Sequence, residues 1–410
     1  MIVNNIEKND KILSFSIFLF FFIQILNGSI KLIFDFSESQ NSMISNLFGG
    51  IFIIYFIIKV LPIVHKRNKN VLFLTYIIFA ILYFFSLLFV LKRGENTDWL
   101  FSQYILWTFA FWIPVGISTY SIIDYKILYE LFYKYSFILT AILTIVFVKN
   151  LIFMTNEQSM FYSMSFSYFS LIPALFHLSR YLNYRKKIIL LIALFEISMI
   201  LILGSRGAII CLLSFISIKF LVSNKSGFYK VTRLLLFALS ILILYFNLNN
   251  INEYLISNHD IRSRTLSYFS NNDSDMFSNR NTVWFSAIQL IKQNPIIGYG
   301  LGGDYYPMVR MSGIIDDSYT SSSAHNGFLQ LMMFFGIPIG LFIGLWLFFS
   351  VFSVFRNKLF YYRELIIICF AVFIIPSTTI SDGLFIKPGV AMYIFLILRY
   401  INKKTSTYFI

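Results

Sequence analysis

The sequence predicts an all-α, polytopic integral membrane protein with about 12 transmembrane helices and one long outer loop containing short helices. Three observations predict it. The first is composition: of 410 residues, 58% are hydrophobic and 13% charged, with a mean hydropathy of +0.74. A soluble domain carries roughly 25% charged residues. The second is a series of apolar runs close to the ~20 residues a helix needs to cross a ~30 Å hydrocarbon core. The third is a lopsided distribution of lysine and arginine between alternate connections. The 49 Phe and 26 Tyr suit lipid-facing and interfacial surfaces and need no binding-site explanation.

In chain order the runs place spans at 12–33, 43–64, 71–91, 99–123, 135–154, 160–179, 188–204, 207–222, 234–250, 336–355, 364–381 and 388–400. Lys8 and Lys11 precede the first run and no small-residue cleavage site follows it, so it reads as a retained helix. With the N-terminus inside, the cytoplasmic connections collect twenty basic residues, among them Lys66, Arg67, Lys69, Arg180, Arg185, Lys186 and Lys187. The short outer connections hold six: Lys31, Lys92, Arg93, Lys149, Arg206 and Lys387. That asymmetry puts both termini in the cytoplasm. The formal charge of +14 is thus a topology signal, with membrane lipids as surroundings and no nucleic acid implied. Cys211 and Cys369 lie in spans without metal-ligand spacing, so no disulfide, metal site or cofactor is expected. The chain divides into N-terminal spans (1–187), a core (188–355) that includes the outer loop 251–323, and C-terminal spans (356–410).

That outer loop is far longer than the usual connection of ~4–6 residues, and loops of such length are functional or disordered. Its middle, Arg280 to Gln293, is helix-compatible and ends at Asn294-Pro295, with Trp284, Phe285, Ile288 and Ile291 forming an apolar side for the membrane or the bundle. After the loop, residues from Ala324 to Phe355 are almost all apolar, too many for one span. Gly336 and Pro338 supply the break, predicting a short helix from about His325 to Phe335 and a spanning helix from Ile339.

His325 stands at the mouth of that short helix, where the positive end of the dipole favours neutral, proton-accepting imidazole. It is the candidate general base. His65 and His177 read as interfacial residues, and His259 is uninformative. Arg206, in Gly204-Ser205-Arg206-Gly207, is either a snorkelling anchor or a guanidinium fork for phosphate. Arg280 begins the loop helix, where the dipole disfavours a cation, so an anionic ligand explains it better than local stability. Arg262 and Arg264 are further anion contacts or solvated loop residues. Gly298-Tyr299-Gly300-Leu301-Gly302-Gly303 lacks the strand–turn–helix setting and the Lys-Ser/Thr ending of a phosphate loop, and reads as a tight turn, with a backbone anion nest as the alternative. Glu196 sits mid-span, where a hydrogen-bonded structural role is preferred over a functional one. Asp382 reads as a turn former.

Three landmarks combine: Ser205-Arg206-Gly207; Arg280 to Trp284 followed by Asn294-Pro295 to Gly300; and His325-Asn326 to Gly336-Ile337-Pro338. Over about residues 188–355 this combination resembles the O-antigen polymerase/ligase superfamily (Wzy and WaaL type). Ile339 departs from the pattern, separating Pro338 from Gly340 where many members have Pro-Gly directly. The resemblance implies metal-independent glycosyl transfer at the outer face of the bacterial cytoplasmic membrane, with glycan on undecaprenyl pyrophosphate as donor. Arg206 and Arg280, with Arg264 and Asn326 beside them, would bind that substrate, and His325 would activate the acceptor hydroxyl. A polymerase of O-antigen, capsule or exopolysaccharide is the expected activity, working beside a chain-length regulator and a flippase. The alternatives are a ligase moving glycan to lipid A-core and a lipid-linked oligosaccharide flippase.

Overall fold

The structure is a computed structural model that describes residues 2–34, 37–154, 164–203, 206–222, 278–312, 324–356, 359–379 and 384–406. All regular structure among them is helical, as polar backbone in a hydrocarbon solvent requires. Against the twelve expected spans, six helices of the described residues are long and apolar enough to cross a membrane: Asn5–Ile33, Ser39–Lys92, Leu100–Ser121, Tyr125–Asn150, Gly327–Ser353 and Phe360–Thr378. The shortfall has local causes. The expected spans 43–64 and 71–91 lie on either side of a kink in one helical run. Gly207–Val222 and Pro388–Asn402 are apolar but short. The expected span 160–179 falls on a continuous helix whose apolar run is diluted by Ser165, Ser167, Ser170, His177 and Ser179. The span expected at 234–250 lies outside the described residues.

α1 (Ile2–Ile33) packs on α5 (Tyr125–Met154) and on α4 (Ile113–Ser121), which two π-helical turns, Leu100–Ile105 and Thr108–Trp112, precede. α2 (Glu38–Tyr55) opens with a capping box at Ser37 and passes through a π turn into α3 (Leu61–Lys92). α3 breaks at Asn68 (φ −145°, ψ 45°), whose side-chain amide donates to Ser121 Oγ at 2.9 Å. Beside it, Arg67 donates to Asp10 Oδ1 at 2.5 Å and to the Ser121 carbonyl at 2.9 Å. Asp10 is fully buried, and its second oxygen accepts the Ile123 and Asp124 amides at 3.2 and 2.8 Å. Burial takes water away from both oxygens, and these donors replace it.

α6 (Met164–Tyr184) and α7 (Lys187–Leu203) form a hairpin closed at Arg185, whose φ is +58°. α8 (Arg206–Val222) lies against α6 and against the run formed by α12 (Phe360–Cys369), a π turn and α13 (Ile375–Thr379). Where α8 nears its C-terminus, Lys219 Nζ donates to both Glu364 oxygens at 2.6 and 2.7 Å, and Ser179 Oγ donates to Glu364 Oε2 at 2.6 Å. α14 (Pro388–Ser406) closes the bundle on α4. The remaining elements are α9 (Ser278–Gln293), α10 (Tyr305–Ser312) and α11 (Gly327–Phe349).

His177 corrects an expectation. It is no interfacial residue: fully buried in α6, it places Nδ1 at 2.8 and 3.0 Å from the two oxygens of Glu196, itself fully buried in α7. Thr140 of α5 donates to the same carboxylate. Glu196 is therefore the partner that three helices share, the hydrogen-bonded structural role preferred for it.

Candidate functional site

α11 breaks at Gly336, where φ of +76° and ψ of 171° fall in a region open essentially to glycine alone. The chain reverses there. The backbone of Leu331 comes so close to Gly340 that a Cβ there would stand 2.5 Å from it, and the Phe328 ring would meet one at Gly344 at 2.6 Å. Gly336, Gly340 and Gly344, one per helical turn, let the short first limb lie across the long second one.

A helix broken by Gly336 and Pro338 strands three backbone groups. Pro338 has no N–H for the Phe334 carbonyl, and at the reversal Ile337 and Met333 cannot pair with each other. The segment after α9 supplies all three partners. Tyr299 N donates to Met333 O at 2.7 Å, Gly300 N donates to Phe334 O at 3.0 Å, and Ile337 N donates to Pro295 O at 2.7 Å. Gly298, with φ +73°, lies so close to the Met333 carbonyl that a side chain would collide with it. The two motifs, Asn294-Pro295 to Gly300 and Gly336-Ile337-Pro338, are thus two halves of one clasp. The Gly298, Tyr299, Gly300 and Gly303 amides all donate to protein carbonyls, so the tight-turn reading stands and an anion nest built from them does not.

The clasp fixes directions. α9 and the first limb of α11 share an apolar cluster of Val283, Ala287, Leu290 and Ile291 with Ala324, Leu329, Met332 and Met333. Their C-terminal ends meet at Gly336, so they run in the same sense and their N-termini lie at one end. Arg280 belongs to the first turn of α9, and His325 stands two residues before α11. Gly327 sits on the backbone of Ser377 and Thr378, within 3.1 Å of Thr378 Cα by its missing Cβ, which ties that end to α13. α8 runs antiparallel to the α12–α13 run, because Lys219 pairs with Glu364 while α8 also packs on α13. Its first residue, Arg206, therefore stands at the α13 end. Arg206, Arg280 and His325, far apart in sequence, reach one end of the bundle. Lys219, Glu364, Arg180, Arg67 and Asp10 occupy the other.

His325 is half-buried and holds φ at +46°, one of two non-glycine residues with positive φ among those described. It lies just outside the helix rather than within its first turn. Asn326 is the cap, accepting the Phe328 and Leu329 amides at 3.0 and 3.2 Å. One face of the limb is pinned by Gln330, which donates to Tyr104 OH at 3.2 Å. Arg264 lies outside the described residues, as do Arg262, His259, Asp382 and Ser205.

One group near the clasp carried no signal in sequence. Glu95, in the turn after α3, pairs with Arg93 at 2.8 Å and with Arg310 of α10. Arg93 also donates to Gly303 O at 2.7 Å, and Trp99 stacks on Tyr305 at 4.1 Å. These contacts hold α10 and the glycine turn to the first half of the chain. Read singly, Arg93 and Glu95 are ordinary turn residues, and only the fold pairs them.

All three landmarks fall inside a single stretch of known relationship. Residues 188–344 match the family model for O-antigen ligase. The match runs from α7 to the second limb of α11 and supports the O-antigen polymerase/ligase superfamily. It indicates an activity of O-antigen ligase/polymerase type, and with the apolar helices it points to a multi-pass membrane protein. No curated protein matches the chain.

Proposed function

We propose that this protein is a bacterial surface-polysaccharide polymerase. It would transfer glycan from undecaprenyl pyrophosphate to a hydroxyl of a second lipid-linked repeat unit, at the outer face of the cytoplasmic membrane. The observation that carries the reading is the convergence of Arg206, Arg280 and His325 at one end of the bundle. Transfer needs positive charge where pyrophosphate departs and a base where the acceptor loses its proton. In the proposed step His325 takes the acceptor hydroxyl proton as its oxygen bonds to the anomeric carbon. The bond from that carbon to the pyrophosphate oxygen breaks on the opposite side, inverting the centre. Arg206 and Arg280, helped by Arg264, hold the departing lipid pyrophosphate, which gains one negative charge as that bond breaks. Asn326 holds the helix mouth and offers a polar edge to the glycan.

The second reading is a ligase that passes finished glycan from the same carrier to lipid A-core, favoured by the description of the matched family. The cluster of basic residues at the end opposite His325 supports a cytoplasmic position for that end. A deletion strain complemented with wild type or His325→Ala separates the readings by glycan length. Single repeat units on the envelope identify the polymerase, and long chains retained on the carrier identify the ligase. Absence of any outer-face repeat unit would mean a flippase. Normal chains from His325→Ala, at normal protein abundance, would refute the base.

A further inference from the structure

α9 was expected to turn one apolar side to the membrane or to the bundle; it has two. Val283, Ala287, Leu290 and Ile291 pack on α11. A second face, Phe285 at 64% exposure and Ile288 at 42%, points away and is continued past the helix end by Ile296 at 73% and Ile297 at 65%. Water alone gives no reason for four such side chains on a loop helix and the turn that follows it.

The clasp shows where this face leads. Ile337 N donates to Pro295 O at 2.7 Å, so Ile296 and Ile297 adjoin Ile337, 40% exposed. From there Ile339, Phe342, Leu345 and Phe349 continue at helical spacing, 54%, 69%, 41% and 55% exposed, down a helix apolar enough to span a membrane. Their surroundings in a bilayer are lipid chains. Exposed Lys292 borders the ribbon where α9 ends, a place for an ammonium among headgroups while its stem lies on apolar surface.

We infer that α9 is an interfacial helix, seated in the membrane leaflet on the side of Arg206, Arg280 and His325, with Phe285, Ile288, Ile296 and Ile297 in contact with lipid chains. The loop element that carries Arg280 is then fixed at the level of the lipid surface rather than held out in water. The bilayer is the occupant this face fits, because the face is continuous with that of an apolar helix long enough to span a membrane. This placement is independent of the proposed transfer chemistry.

The test uses the full-length protein in vesicles of phosphatidylethanolamine and phosphatidylglycerol, with or without bromines on the acyl chains. Phe285→Cys and Ile297→Cys are labelled with bimane, beside Asn96→Cys, an exposed polar position at the α3–α4 turn. Cys211 and Cys369 are buried and stay out of the reagent's reach. The expected result is that bimane at 285 and 297 loses most of its emission to brominated lipid and little to aqueous iodide, with the reverse at 96. Quenching of 285 and 297 by iodide alone would show a water-facing helix and overturn the inference. Protection from both quenchers would show protein on the face, a second copy or another segment of this chain, and would overturn it equally.

Discussion

His325 presents its imidazole from a left-handed backbone, a conformation that costs an ordinary residue roughly 1–2 kcal/mol and that histidine tolerates better than most. Asn326 makes the conformation persist by capping the helix that follows. The two roles given to Asn326 separate by substitution. Asn326→Ala should lower stability by about 0.5–2 kcal/mol, whereas Asn326→Asp keeps an oxygen at the cap. Equal stability and equal transfer for wild type and Asn326→Asp would leave capping as its whole role; restored stability with lost transfer would add the glycan contact. Gly336 makes a sharper case. Gly336→Ala puts a methyl group against the Ile296 carbonyl in a backbone region alanine avoids, at a cost of about 1–3 kcal/mol. Thermal unfolding in detergent should start at clearly lower temperature, and an unchanged midpoint would mean the reversal is drawn wrongly.

At the scale of elements, the break in α11 was legible because Gly336 and Pro338 announce themselves by what they lack. The clasp was not. Nothing in Asn294-Pro295 to Gly300 says which carbonyls its amides will meet, since that depends on a helix break over thirty residues on. The same limit explains His177 and Glu196: each sits in an apolar run, and their pairing appears only when α6 and α7 form a hairpin. Removing Glu196 leaves His177 Nδ1 buried without its partner, a loss of about 1–3 kcal/mol. Glu196→Ala should therefore sharply reduce folded protein, while Glu196→Gln, which still accepts from Thr140, should lose less. Activity per folded molecule should stay near wild type in Glu196→Gln; a mutant that folds fully but transfers nothing would give this carboxylate a functional role instead.

For the whole molecule, composition sufficed for an all-helical membrane protein, because the hydrocarbon solvent leaves few other architectures. The number of spans is less directly legible, because apolar runs measure hydropathy, whereas the described helices are joined or cut by tertiary contacts such as Asn68 with Ser121. The three candidate residues were legible singly and by resemblance. Their meeting at one end required the antiparallel pairing of α8 with α12 and the parallel pairing of α9 with α11. Orientation has its own test. Asn96→Cys should react with an impermeant maleimide in intact cells, and Lys186→Cys, in the exposed α6–α7 turn, only after permeabilisation. The opposite pattern would invert the molecule and remove the site from the outer face.

The clasp at Gly336 makes α9 and the first limb of α11 the two prongs of a tuning fork, with a handle of three hydrogen bonds and the tips at Arg280 and His325. A fork keeps the gap between its tips whatever the rest of the instrument does. Loosening the handle should therefore blunt the choice among acceptors of different bulk before it abolishes transfer, so that damage at Gly298 or Gly336 would be heard first as a change of pitch and only later as silence.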